Sequence, residues 1–239
     1  MLGPVNLTDA LLDAWAVVLP VECAGCGGKD RALCRHCREA IAPRVASRTV
    51  AGLDVASGLR YEGAARQVIL ALKERGRTGL ARPLSVALAA ALADTLAADG
   101  AQAEGAEIVL VPGSRAAFRR RGFDPVALLG RRAGVRPVRV LEAARATRSQ
   151  KTLDLSSRAV NLAGSMRATR SLAGRRFILV DDVVTTGATL TEAARAIREG
   201  EGSVGRAATL ADTPRHFPRD GGGLPNPGGP ADDFVPRED

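Results

Sequence analysis

Phe177-Ile178-Leu179-Val180-Asp181-Asp182-Val183-Val184-Thr185-Thr186-Gly187-Ala188-Thr189 is the stretch from which the rest of this 239-residue chain can be placed. Four apolar residues in a row predict a buried strand covered on both faces. Two carboxylates follow where that strand is expected to end. A Thr- and Gly-rich turn comes next, and residues 190–198 then take a helical pattern. Strand, turn and helix in that order imply an open α/β sheet, whose ligands bind outside the carboxyl ends of the strands. A turn that opens a helix presents free N–H groups and the positive end of the helix dipole, which suits a phosphate. Gly187 allows close backbone approach, and Thr185, Thr186 and Thr189 add hydroxyls.

Asp181 and Asp182 narrow the ligand. Carboxylates repel a bare phosphate, so they are expected to face another part of the same molecule. Hydroxyls and Mg²⁺ both want oxygen acceptors. A phosphate, two vicinal hydroxyls and a metal-bound pyrophosphate together describe 5-phosphoribosyl 1-pyrophosphate (PRPP). Apolar residues, two acids and Thr-Thr-Gly-x-Thr resemble the PRPP signature of type I phosphoribosyltransferases. Receiver domains also put two acids at a strand end. They need a later Asp and Lys, however, and no Lys follows Lys151. No Gly-x-x-x-x-Gly-Lys-[Ser/Thr] occurs, which excludes a Walker P-loop.

Upstream, residues 108–112 predict another buried strand. Arg115, Arg119, Arg120, Arg121 and Gly122 follow it. Arginines at a strand's carboxyl end, in the same sheet as the acid pair, suit a pyrophosphate. Residues 110–176 hold 15 Arg and one Lys against Asp124, Glu142 and Asp154, a net charge of +13. Such a field draws polyanions, whether pyrophosphate, nucleotides or nucleic acid. Further elements are a helix over 7–19, a hairpin over 50–61, helices over 62–75, 83–98 and from 125, and strands over 138–141 and 204–210. Lys73 reads as a solvated helix end. Residues 143–170 show no period. Residues 212–239 hold five Gly and six Pro and are expected to be a disordered tail.

All four cysteines fall in Cys23-x-x-Cys26 and Cys34-x-x-Cys37, with seven residues between the pairs. Two such knuckles bring four thiolates to one tetrahedral centre, so a closed structural Zn²⁺ site without zinc catalysis is expected. His36 reads as a bystander. The longest early apolar run, residues 14–21, is far short of the ~20 residues of a spanning helix. The expectation is a cytoplasmic protein with no membrane insertion.

These residues together resemble the ComF family, the competence-associated phosphoribosyltransferase-like proteins that include GntX-type members. The resemblance rests on the four-Cys ribbon, on Tyr61-Glu62-Gly63-Ala64-Ala65-Arg66 with Leu72-Lys73, and on Val111-Pro112 with Arg120-Arg121-Gly122-Phe123. It continues in Arg145, Thr147, Gln150, Arg158 and Asn161 and ends in the PRPP-type stretch. Two positions depart from it. Asp124-Pro125 follow Phe123 where Asn-Gln is common, and Gly113 replaces a bulkier residue.

The resemblance implies an α/β fold with a parallel sheet flanked by helices and a small N-terminal zinc ribbon. It divides the chain into a helix and ribbon over 1–45, a phosphoribosyltransferase-like domain over 46–211 and a tail over 212–239. By resemblance, Asp181 and Asp182 bind the ribose hydroxyls, and Thr185, Thr186, Gly187, Ala188 and Thr189 the 5′-phosphate. Arg115, Arg119, Arg120, Arg121 and Gly122 line the pyrophosphate side. Arg145, Arg148, Gln150 and Lys151 belong to a hood over the site. Zinc and PRPP-bound Mg²⁺ are the implied cofactors. Some relatives carry an acid where Thr185 stands, and Thr185 cannot replace it as a base. The catalytic residue and the acceptor are therefore unread. Two classes follow: a phosphoribosyltransferase, or a non-catalytic module that senses PRPP or holds single-stranded DNA with DNA-uptake proteins. The low aromatic content, 3%, argues against a stacking platform for single strands.

Overall fold

The computed structural model describes residues 21–29, 31–144 and 164–213. The helix expected over 7–19, the hood residues Arg145, Arg148, Gln150 and Lys151, and the tail beyond 213 lie outside the described residues.

A short helix, α1 (Arg35–Ala40), starts within the second cysteine knuckle and carries Cys37, with the Cys34 side chain capping its start. The hairpin expected over 50–61 forms earlier in the chain, as β1 (Ala46–Val50) and β2 (Leu53–Arg60) paired antiparallel, so that most of the expected stretch is a single strand. Next come α2 (Gly63–Lys73), α3 (Ala81–Asp99) and β3 (Glu107–Leu110). The arginine-rich loop forms α4 (Arg115–Arg121), and α5 (Pro125–Arg132) follows. Two short strands, β4 (Leu141–Ala143) and β5 (Met166–Ala168), pair with each other. The chain then forms β6 (Arg176–Val184), α6 (Ala188–Glu199) and β7 (Ser203–Asp212).

The main sheet has the order β1-β2-β7-β6-β3, parallel throughout except for the β1–β2 hairpin. This is the expected α/β class. Successive residues of a strand point to opposite faces, and β6 shows it plainly. Ile178 and Val180 join the core under α2, α3 and α5, whereas Phe177 and Leu179 join the core under α6 and the small sheet. All four are fully buried, as a doubly covered parallel strand requires. The strand expected over 138–141 is displaced. Strand geometry starts at Leu141, in the two-stranded sheet, while Val138 only donates its N–H to Ile108 at 2.9 Å.

Among the described residues, α3 with its flanking turns is long and apolar enough to cross a membrane by length and composition. It packs on β2 and β7 instead, with Leu84, Ala87, Leu88 and Ala91 fully buried. The helix lies so close that a Cβ at Gly58 would fall 2.1 Å from the Ala87 carbonyl oxygen. The ribbon is packed on the same core. Cys23, Ala24, Leu33, Cys37 and Ile41 share one buried cluster with Leu72 and Leu84. Arg77, just beyond α2, also donates to the Ala32 carbonyl at 3.1 Å.

Candidate functional site

β3 and β6 diverge in length, and that difference makes the crevice. β3 stops at Leu110, opposite Val180, while β6 runs on to Val184 beside β7. Residues 181–184 therefore have a strand on one side only. Asp181 and Asp182 lie inside β6, not beyond its end as the sequence suggested. A cleft of about 900 Å³ opens at this step. Its walls bring together Asp181, Asp182 and Thr189 from β6 and α6, and Arg115, Arg119 and Arg121 from α4.

The acid pair is asymmetric. Asp182 makes an ion pair with Lys73 Nζ at 2.8 Å, both side chains being mostly buried. Asp181 is buried and accepts the Asp182 N–H at 2.8 Å. Burial, reinforced by the charge of Asp182, pushes the Asp181 pKa up to about 8, against the pull of that N–H and of Lys73. A carboxylate desolvated beside a second carboxylate holds its proton until a partner arrives that stabilises the charge.

The arginines divide. Arg121 donates to Glu74 at 2.6 Å, and Arg120 reaches the same carboxylate at 3.4 Å. The Arg121 hydrogen bond, with the charges of both arginines, holds the Glu74 carboxyl below its usual value. Arg120 and Gly122 do not line the cleft, so Arg115 and Arg119 are the arginines of this loop left facing it without a carboxylate among the described residues. Asp124 and Pro125, which depart from the ComF pattern, open α5. Asp124 accepts the N–H groups of Val126 and Ala127, and Pro125 occupies the first turn, where its missing N–H costs nothing.

The Thr/Gly turn lies beside the cleft, with Thr185 and Thr186 exposed. Gly187 takes φ +83° and caps α6 without a side-chain bond, while the Ala188 N–H that follows donates to Thr186 Oγ1 at 3.4 Å. Arg48 was not singled out by the sequence reading. From β1 it donates to Asp212 at 2.5 Å and to the Thr185 carbonyl at 3.1 Å, tying the turn to the hairpin. Glu192 and Arg195 are a second addition. Glu192 accepts the Met166 N–H at 2.9 Å, and Arg195 donates to the Met166 carbonyl at 2.8 Å. That clamp seats the small sheet on α6, where Ser165 and Met166 complete the cleft wall. None of these carries a local motif, and each becomes visible only through a partner distant in sequence.

The family model for the phosphoribosyl transferase domain matches residues 80–220, more than half of the chain. The chain belongs to the phosphoribosyl transferase domain family. No curated protein matches it. The acid pair, the Thr/Gly turn and the arginine loop all fall inside this phosphoribosyl transferase domain. Lys73, Glu74, Arg48 and the four cysteines precede the matched residues.

The four cysteine sulfurs lie within 4.8 Å of one another. Tetrahedral zinc with Zn–S bonds near 2.3 Å sets sulfurs about 3.8 Å apart. Cys26 and Cys34 Sγ are 3.8 Å apart. Cys23 Sγ accepts the Cys34 N–H at 3.3 Å, and Cys34 Sγ accepts the Cys37 N–H at 3.4 Å, which suits thiolates. Burial alone would raise the Cys23 thiol. Backbone N–H groups of Cys34, Cys26 and Gly25 overcome it and bring the thiol down to about 6. His36 is exposed and outside the group. These donors can hold one zinc ion. Metal analysis of the purified protein is expected to find one zinc per chain, and none once Cys26→Ser and Cys37→Ser are combined. Zinc retained by that double variant would refute the assignment.

Proposed function

We propose that this chain is a ComF-type, PRPP-binding phosphoribosyltransferase that moves the phosphoribosyl group to a nitrogen acceptor and releases pyrophosphate. The observation that carries the reading is the cleft itself. It sets an acid pair on one wall against Arg115 and Arg119 on the other, toward the carboxyl end of β6. Asp181 and Asp182 accept from the ribose hydroxyls, and residues 185–189 receive the 5′-phosphate at the start of α6. Arg115 and Arg119 face the pyrophosphate. Transfer breaks the C1–oxygen bond to pyrophosphate and forms a C1–nitrogen bond. Charge builds on the leaving group, where fixed cations stabilise it. The acid pair also suits Mg²⁺, a hard cation that takes carboxylate and phosphate oxygens, and would supply charge neutralisation of pyrophosphate.

The four-Cys ribbon, the Arg-Gly-Phe run and the PRPP stretch on one chain support the ComF assignment. With it come a cytoplasmic location, a role in DNA uptake, and the division into 1–45, 46–211 and 212–239. Arg145, Arg148, Gln150 and Lys151 belong to the hood in this reading.

A second reading, PRPP binding without transfer, has one observation in its favour: among the described residues no His, Cys or Glu lines the cleft to serve the acceptor. Titration calorimetry tests the shared part. PRPP with Mg²⁺ is expected to bind, and Asp181→Asn with Asp182→Asn to weaken it roughly tenfold or more, since each variant puts an amide donor toward groups that need an acceptor. No binding by the wild-type protein would defeat both readings. Pyrophosphate release with candidate acceptors then separates transfer from sensing.

A further inference from the structure

We infer that Lys73 binds the pyrophosphate end of the ligand, so that a residue at the end of α2, ahead of the stretch the family model matches, completes its site. The inference rests on the PRPP reading above and assigns one more contact within it.

Lys73 is the last residue of α2, where the negative end of the helix dipole favours a cation. Its ammonium lines the cleft, and Asp182 at 2.8 Å is its partner among the described residues. An ammonium has three donors. One serves Asp182, which leaves two for an oxyanion lodged between β6 and α4. The neighbouring Glu74 does the complementary task. It occupies Arg121 and Arg120, so the cations on the α4 wall free to meet an anion are Arg115 and Arg119. Three cations then converge from two walls: Arg115 and Arg119 from α4, Lys73 from α2. Pyrophosphate carries several negative oxygens, and a single pair of exposed arginines leaves part of that charge unmet. Lys73 pairs with one member of the acid pair and lines the same cleft as Arg115 and Arg119. Consecutive residues of one helix end, Lys73 and Glu74, thus span both walls, and that helix packs on the ribbon helix α1.

The test compares full-length wild type with Lys73→Met, which keeps the aliphatic stem and removes the charge. Three ligands are titrated by calorimetry: magnesium pyrophosphate, PRPP with Mg²⁺, and ribose 5-phosphate. Lys73→Met is expected to weaken pyrophosphate and PRPP by about tenfold or more, while ribose 5-phosphate changes less than about threefold. An equal loss for ribose 5-phosphate would overturn the inference, because Lys73 would then act only as counter-ion to Asp182. Unchanged pyrophosphate affinity would overturn it too. If wild type binds pyrophosphate but not PRPP, the PRPP reading fails alone and the pyrophosphate comparison still decides the lysine. If it binds none of the three, both fail.

Should the variant not fold, footprinting of the wild type gives the answer. The chain has only three lysines, Lys29, Lys73 and Lys151, so amine acetylation can be followed at each by mass spectrometry. Magnesium pyrophosphate is expected to protect Lys73 and spare the exposed Lys29. Equal labelling of Lys73 with and without the ligand overturns the assignment.

Discussion

Gly187→Val is expected to lower stability by roughly 3–5 kcal/mol and to abolish PRPP binding. Two independent costs add here. Gly187 sits at φ +83°, where a β-branched residue is strained by about 1–3 kcal/mol. A Cβ there would also fall 2.0 Å from Val50 Cγ1 and 3.3 Å from Val50 Cβ. Val50 is buried at the end of β1 and cannot swing aside freely, so overpacking contributes about 1–3 kcal/mol more. The turn must move to relieve both, and it is this turn that the proposed function assigns to the 5′-phosphate. Gly187→Ala in a Val50→Ala background separates the costs. Urea titration is expected to show a favourable coupling of at least about 1 kcal/mol between the two alanines, the clash being relieved while the φ strain remains. Coupling indistinguishable from zero would show that the hairpin does not press on the turn.

How much of this could be read in the chain depends on the range of the interaction concerned. The doubly covered strand was legible in Phe177-Ile178-Leu179-Val180 because each residue is buried, two against each face. The turn was legible because Thr-Thr-Gly-Ala-Thr carries its chemistry locally. The cysteine knuckles and the helix over 81–99 were legible for the same reason. The end of β6 was not. Two acids look like a boundary, yet β7 continues alongside, and pairing through Val184↔Asp212 keeps the strand going past them. The strand over 138–141 was misplaced because its apolar residues fill a core, Val140 being fully buried, without a ladder to join. Lys73 looked solvated because its partner lies on another strand, far along the chain. Likewise the sequence sets Arg120 and Arg121 beside Arg115 and Arg119, whereas in the fold both pair with Glu74 and Arg120 does not line the cleft. Local pattern carries the sheet and the turn, whereas charge pairing across the cleft is tertiary.

Asp181→Asn is expected to stabilise the ligand-free protein increasingly as pH rises from 5 to 8, while weakening its affinity for PRPP. In the folded chain, burial and the charge of Asp182 raise the Asp181 pKa to about 8. An unfolded Asp titrates near 3.9. A group whose folded pKa is raised contributes its full stability below the unfolded value. It loses that contribution progressively until the folded group also ionises. The unfolded state sheds the proton first, so the penalty grows by at most about 1.4 kcal/mol per pH unit across this window and levels off above pH 8. Asn is the neutral isostere of the protonated acid, can keep the bond from the Asp182 N–H, and does not titrate. The stability gap between Asn and Asp therefore widens by up to about 4 kcal/mol between pH 5 and pH 8. Binding follows the opposite slope. Ribose hydroxyls need an acceptor, so PRPP must expel the Asp181 proton, and its affinity should rise with pH until about 8. Thermal melts of both proteins at half-unit pH steps, together with PRPP titrations of the wild type, test the two slopes. A gap that is constant with pH would mean that Asp181 is already ionised at pH 5, and the proton would then have no part in binding. Opposed slopes would show a carboxyl kept at a cost to the fold because the ligand requires its charge.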